Sequence, residues 1–156
     1  MSTLTRRAAI VASGALAIPP TVAGQRALAE PGLTFRDIRV DVAPLRANAG
    51  DPTAAWVERE LLVQLARALA GRMSRNGATL IVRIDYLTLG PNNGAGIHSD
   101  SSWDNMSGVA IVDGAQFPVR ATASYRSSPI DQTMIEQSNH RRVSQLVQAL
   151  AYWLGR

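Results

Sequence analysis

Residues 79–89 read TLIVRIDYLTL, an unbroken run of strand-forming residues set between a long helical pattern and a hairpin pattern. Leu80, Val82, Ile84 and Tyr86 alternate with Ile81, Arg83, Asp85 and Leu87, so one row is apolar throughout and the other carries charge between aliphatic residues. The run predicts a central strand with its first row toward the core. At about 3.3 Å per residue the strand spans roughly 36 Å, and the helical pattern of residues 52–75, at about 1.5 Å per residue, spans a similar length, so one can lie along the other.

Upstream, Asp51-Pro52 marks the start of that helix, because a carboxylate can accept from orphan amides and proline's fixed φ suits a first helical turn. Val57, Leu61, Leu62, Leu65, Leu69 and Met73 form its apolar stripe, with Glu60, Gln64, Arg67 and Arg75 opposite. Asn76-Gly77 ends it with residues able to turn left-handed. Residues 33–42 predict an earlier strand whose alternation slips: Leu33 and Phe35 share one phase, Ile38, Val40 and Val42 the other, and a bulge near Arg36 and Asp37 reconciles them. Pro44 ends that strand, and residues 47–50 read as a small loop.

Downstream, residues 90–106 lack either periodicity and are rich in Gly, Asn, Ser and Asp, which predicts a long loop around Trp103. Residues 108–112 and 117–126 flank Asp113-Gly114, a tight-hairpin pair, and predict two strands. After a turn at 127–131, in which Asp131 is a candidate cap, Met134, Val143, Leu146, Val147, Leu150, Trp153 and Leu154 give a final helix its apolar face. The order β-α-β-β-β-α predicts an α+β two-layer sandwich: a four-stranded mixed sheet with two helices on one face and a polar open face.

The chain has 156 residues, one domain's worth once a leader is set aside. Residues 1–29 carry Arg6-Arg7, an apolar stretch over residues 8–17, and Ala27-Leu28-Ala29, the ordered parts of a cleavable export signal, leaving residues 30–156 as a single domain. Thr5-Arg6-Arg7-Ala8-Ala9 resembles the twin-arginine export motif, although Ala9 stands where a bulky residue is usual, and the general secretory route is the alternative. All basic side chains are arginine; with Arg6, Arg7 and Arg26 in the signal, the remainder carries thirteen arginines against twelve acidic residues, a balance that argues against nucleic acid as partner. Cysteine is absent, which excludes disulfides, thiolate chemistry and a lipid anchor on cysteine.

Residues 38–45 (IRVDVAPL) before a helix, the helical core of residues 61–69, the strand of residues 78–86 and the terminal amphipathic helix together resemble a group of small exported bacterial envelope proteins: lipopolysaccharide-assembly lipoproteins of the LptE type and the auxiliary lipoproteins of ABC-type transport systems. The resemblance implies a non-enzymatic accessory of an envelope transport or assembly system. Members of that group are lipidated on a cysteine, so this chain would be a non-lipidated, periplasmic relative.

Several constellations bear on chemistry. His98, Asp100 and Asp104 would offer one nitrogen and two carboxylates to a divalent metal, but Asn105 and Ile111 stand where a calcium loop needs glycine and glutamate, and a solvated polar loop is the plainer reading. His140 beside Arg141 and Arg142 reads as a helix-surface residue, and no serine lies in a nucleophile elbow. On the open sheet face Arg36 or Arg39, Arg83, Arg120 and Arg126 gather with Asp41 and Asp85. They read either as an anion-recognition surface or as a solvated cross-strand ladder, which the interspersed acids favour. Ile81, Leu87 and Leu89 on that face point to a partner surface or a covering loop.

The sequence therefore predicts a periplasmic accessory or binding protein without cofactor or catalytic residues, contacting an envelope protein or polymer through Trp103, Arg83, Arg120 and Arg126. The competing class is a small metal-assisted hydrolase built on His98, Asp100 and Asp104. The signal makes one prediction of its own: changing Arg6 and Arg7 together to lysine abolishes appearance of the processed form in a fractionation blot, because twin-arginine export requires the arginine pair, whereas general secretion tolerates lysine.

Overall fold

The structure is a computed structural model that describes residues 32–90, 102–125 and 134–156. The signal residues Arg6, Arg7, Ala27 and Ala29, together with His98, Asp100, Arg126 and Asp131, lie outside the described residues. The elements run β1 (Phe35–Asp41), α1 (Ala43–Ala49), α2 (Asp51–Ala68), a 3-10 turn (Ala70–Arg72), β2 (Ala78–Thr88), β3 (Ser102–Val112), β4 (Ala115–Tyr125) and α3 (Ile135–Gly155). The strands lie in the order β1-β2-β3-β4; β1 pairs parallel with β2 and the remaining pairs are antiparallel. The α+β class, the mixed sheet and the long helices on one face are as the sequence predicts, and a third, short helix is added.

That short helix is α1, where residues 47–50 read as loop. Pro44 sits in its first turn, where a missing N–H costs nothing, and the Asp41 carboxylate accepts from the Ala43 amide at 2.9 Å, so the residues that end β1 also start a helix. Leu45 anchors α1 in the core. Gly50, at φ 79°, then breaks the path and α2 begins at once, with Asp51 inside its first turn rather than capping it. In α2 the buried positions are Ala54, Val57, Leu61 and Leu65, continued by Leu69. Leu62 and Met73, expected in the stripe, are exposed: Leu62 lies a third of a turn off the buried row, and the helix ends at Ala68, leaving Met73 extended and bridged to Phe35. Gly77 serves by close approach rather than by left-handedness, since a Cβ on it would lie 2.6 Å from the Thr34 carbonyl oxygen.

β1 carries the expected bulge: Phe35 pairs with Ala78 and Asp37 with Thr79, leaving Arg36 as the extra residue and bringing Phe35, Ile38 and Val40 to the core side. A second bulge, in β2, was not expected. Ile84 pairs with Gly108 but Tyr86 with Ser107, so Asp85 is unmatched and the alternation reverses beyond it. Leu80, Val82 and Ile84 are buried as predicted, yet Tyr86 turns out to the open face at 48% exposure, and Leu87 and Leu89 pack against the core instead of lying opposite it. The orphaned carbonyl of Asp85 accepts from Asn48 Nδ2 of α1 at 3.1 Å.

The hairpin turn is Asp113-Gly114, with φ 49° and 85°, the pair of positive values that a tight primed turn requires. β3 begins at Ser102, well inside the predicted loop, and continues Asp104, Met106, Gly108, Ala110 and Val112 on the buried side. Val119 and Ala121 of β4 face the same way. In α3 the core takes Val143, Leu146, Val147, Leu150, Ala151 and Leu154, whereas Met134 and Trp153, read as part of that face, are exposed. Each buried leucine contributes about 2 kcal/mol of transfer free energy, so α2 and α3 are held to the sheet chiefly by these rows.

Gly108 is the least replaceable residue in this frame, because a Cβ there would lie 1.9 Å from the Arg83 carbonyl oxygen, a backbone atom that no rotamer change can move away. Gly108→Ala is expected to lower stability by at least about 2 kcal/mol, read as a shift of the urea midpoint, while Gly114→Asn in the turn shifts it far less.

Candidate functional site

Helices cover one face of the sheet; on the other, every described side chain is half-buried or exposed, and no described element packs there. The register lines that face up in rows. Arg39, Ile81, Ile111 and Gln116 form one, Asp41, Arg83, Val109 and Pro118 the next, then Tyr86, Ser107 and Arg120, then Thr88, Asn105 and Thr122, and finally Trp103 with Ser124. Ile81, Val109 and Ile111 thus meet as an aliphatic centre on β2 and β3. Trp103, on β3 rather than in a loop, is 64% exposed, so its indole covers no core.

The arginines of this face are occupied by their neighbours. Arg83 Nε donates to Asp85 Oδ1 at 2.8 Å and Arg39 Nε to Asp37 Oδ2 at 2.7 Å, each two residues away on its own strand. Arg120 Nε donates to Asn105 Oδ1 at 2.8 Å and Arg36 Nε to Thr79 Oγ1 at 3.3 Å. The open face thus carries the polar and charged residues expected of it, locally paired, around an aliphatic centre with Tyr86 one row away and Trp103 at the far end of β3.

Asp104 lies on the other side of the sheet. It is 1% exposed and faces Arg142 of α3, 2% exposed, in a forked pair: Arg142 Nε donates to Asp104 Oδ2 at 2.8 Å and Nη2 donates to Oδ1. Gly90, just past β2, joins both partners, its amide donating to Asp104 Oδ1 at 2.9 Å and its carbonyl accepting from Arg142 Nη2 at 2.8 Å. Asn139 Oδ1 takes a further contact from Nη1 at 3.4 Å. Of the weak metal set, then, Asp104 is already committed to a guanidinium, and among the described residues no three His, Asp or Glu side chains are grouped to hold a metal ion. Sequence reasoning missed Arg142, whose signal was its period: with Ser138 and Leu146 it falls on one helical row, four residues apart, and all three are buried.

Close to this pair, a cleft of about 620 Å³ opens between α2 and the start of α3, lined by Trp56, Arg59, Leu89, Glu136, Asn139 and His140 among others. His140 lies on the helix surface as expected, and its ring stacks on that of Trp56 at 4.9 Å and 11°.

No protein-family model matches the chain, and no curated protein matches it. Solved structures similar to it include the following two. A minor lipoprotein from Acinetobacter baumannii is 10% identical, with a TM-score of 0.45, over 78% of this chain and 93% of that one. A protein described as a lipoprotein from Caulobacter crescentus is 13% identical, with a TM-score of 0.37, over 86% and 95%. Likeness of this degree carries neither a residue role nor a partner across.

The buried pair can be tested by a double-mutant cycle. Asp104→Ala is expected to cost about 3–5 kcal/mol in chemical denaturation, since it strands a buried guanidinium, whereas Asp104→Leu combined with Arg142→Met recovers most of that loss by replacing both charges with apolar groups.

Proposed function

We propose that this protein is a non-enzymatic accessory or binding protein of the bacterial cell envelope, exported to the periplasm, that holds a protein partner against its open sheet face. One observation carries the reading: on a face that no described element covers, Tyr86 stands exposed one row from the half-buried aliphatic centre of Ile81, Val109 and Ile111, and Trp103 stands exposed on the same face at the far end of β3. Exposed tryptophan and tyrosine on a face that also carries an apolar centre are what interface anchors are made of. The local pairing of Arg83 and Arg39 with carboxylates and of Arg120 with the Asn105 amide oxygen supports a protein over an acidic polymer, because a polyanion would have to compete with acceptors already in place. The signal of residues 1–29 and the resemblance of residues 38–45 and 61–69 to envelope accessories support the location and the role in a transport or assembly system.

Affinity capture from the native envelope tests this. Trp103→Ala is expected to change stability by less than about 0.5 kcal/mol, as for other exposed substitutions, and to weaken capture of the partner by roughly thirtyfold, the loss typical of a truncated anchor. Capture that survives both Trp103→Ala and Tyr86→Ala at wild-type strength would remove the open face from the contact.

A further inference from the structure

A second surface, on the helical layer, differs in chemistry from the open face. At the C-terminal end of α3, Tyr152 and Trp153 are each 54% exposed and meet edge to face at 6.1 Å. The Arg156 guanidinium lies 4.5 Å from the Tyr152 ring centre and 5.5 Å from that of Trp153. Gly155 packs so closely on Ala68 that a Cβ would come within 2.9 Å of the alanine methyl, which brings this end of α3 alongside the end of α2. There Arg67 and Tyr152 line a shallow depression of about 290 Å³ with Gln64, Ala68, Gln148 and Ala151.

The charge of this end is one-sided. Between Glu60 and Asp85 the chain has no acidic residue, and beyond Glu136, at the opposite end of α3, it has none either. Arg67 in the last turn of α2, Arg72 and Arg75 just after it, and Arg156 beyond α3 therefore meet two acids among the described residues at this end of the sheet, Asp113 in the β3–β4 turn and Asp37 of β1, the latter already paired with Arg39. Arg72 is held by the Leu33 carbonyl and the Phe35 ring, but among the described residues Arg67 and Arg156 have no carboxylate partner. Arginines available to phosphate, flanking two exposed rings that each carry an apolar body and a polar tip, match the headgroup region of an anionic bilayer in charge and in polarity gradient. No described helix is long and apolar enough to cross a membrane, so contact there is peripheral.

We propose that the paired ends of α2 and α3 dock on the surface of an anionic phospholipid membrane, with Arg67 and Arg156 on lipid phosphates and Tyr152 and Trp153 at the headgroup level. Sedimentation with vesicles tests it, using purified protein of determined N-terminus and comparing variants only within the same processed form. Binding to phosphatidylglycerol–phosphatidylethanolamine vesicles is expected, falling with added salt and nearly absent with phosphatidylcholine alone. Arg67→Ala with Arg156→Ala should weaken it by about twenty-five-fold, roughly fivefold per arginine. In a Trp56→Phe, Trp103→Phe background whose circular dichroism shows it folded, the remaining Trp153 emission should shift to the blue on adding the anionic vesicles. Absence of binding, binding equal on neutral vesicles, or binding indifferent to the arginine pair would each overturn the proposal. So would a Trp153→Ala variant that keeps its vesicle affinity while losing a captured protein, which would make this end a protein interface.

Discussion

The α-carbon of Gly108 lies against the carbonyl of Arg83 with no room for a methyl group between them, and much of the sheet follows from that approach. It allows β2 to bulge at Asp85, and the bulge decides the side on which every later residue of β2 falls. Had the alternation run on unbroken, Tyr86 would sit under the helices and Leu87 and Leu89 would face outward. With one residue slipped, the two leucines join the core, the tyrosine joins the open face, and Gly90 arrives where its amide and carbonyl meet Asp104 and Arg142. Asn48 completes the arrangement by satisfying the carbonyl that the bulge leaves without a strand partner.

The buried pair depends on that arrival. Burying two charges costs several kcal/mol each, and the cost is offset only when geometry is good and the remaining donors and acceptors are filled. Here the fork between Nε and Nη2 of Arg142 and the two oxygens of Asp104 supplies the geometry, and Gly90 with Asn139 supplies partners for what is left. Such a pair contributes less to net stability than to choice of register. A one-residue slip of β3 would turn Asp104 out to solvent and press Trp103 toward a buried guanidinium, so the wrong register loses the ion pair and gains an unpaired charge at once.

What was readable in the sequence was whatever is coded locally. The Asp113-Gly114 turn and the slip in β1 near Arg36 both appear in short windows, because a turn type or a broken alternation needs only its own residues. The bulge in β2 did not, since it is licensed by a glycine more than twenty residues away. α1 was hidden because Asp41 and Pro44 serve equally well to end a strand and to begin a helix. Ser102 to Asn105 looked like loop because composition was weighed above period: Asp104, Met106, Gly108 and Ala110 already alternate, but the first is charged and the third has no side chain. Arg142 was hidden for the same reason on a helix. Two opposite charges, each in the buried phase of its own element, are the signature of a buried pair, and neither one is informative without the other.

The two exposed surfaces stand apart in a way that follows from the topology. Trp103 opens β3 at the end where β2 finishes, on the face away from the helices, whereas Arg156 lies with the end of α2, which leads into the start of β2. The nine residue steps of β3 from Trp103 to Val112 alone separate those two ends by roughly 30 Å at about 3.4 Å per residue. They also differ in kind: the open face gathers aliphatic residues among charges that are already paired, while the helical end presents aromatic rings beside Arg67 and Arg156, which have no carboxylate partner among the described residues. The first chemistry rewards a partner able to fill an apolar centre without disturbing its rim, and the second rewards a diffuse field of phosphate. Because the two surfaces lie on opposite faces and opposite ends of the sheet, a molecule held at its helical end by a bilayer would keep Trp103 and Tyr86 directed away from it and open to a protein.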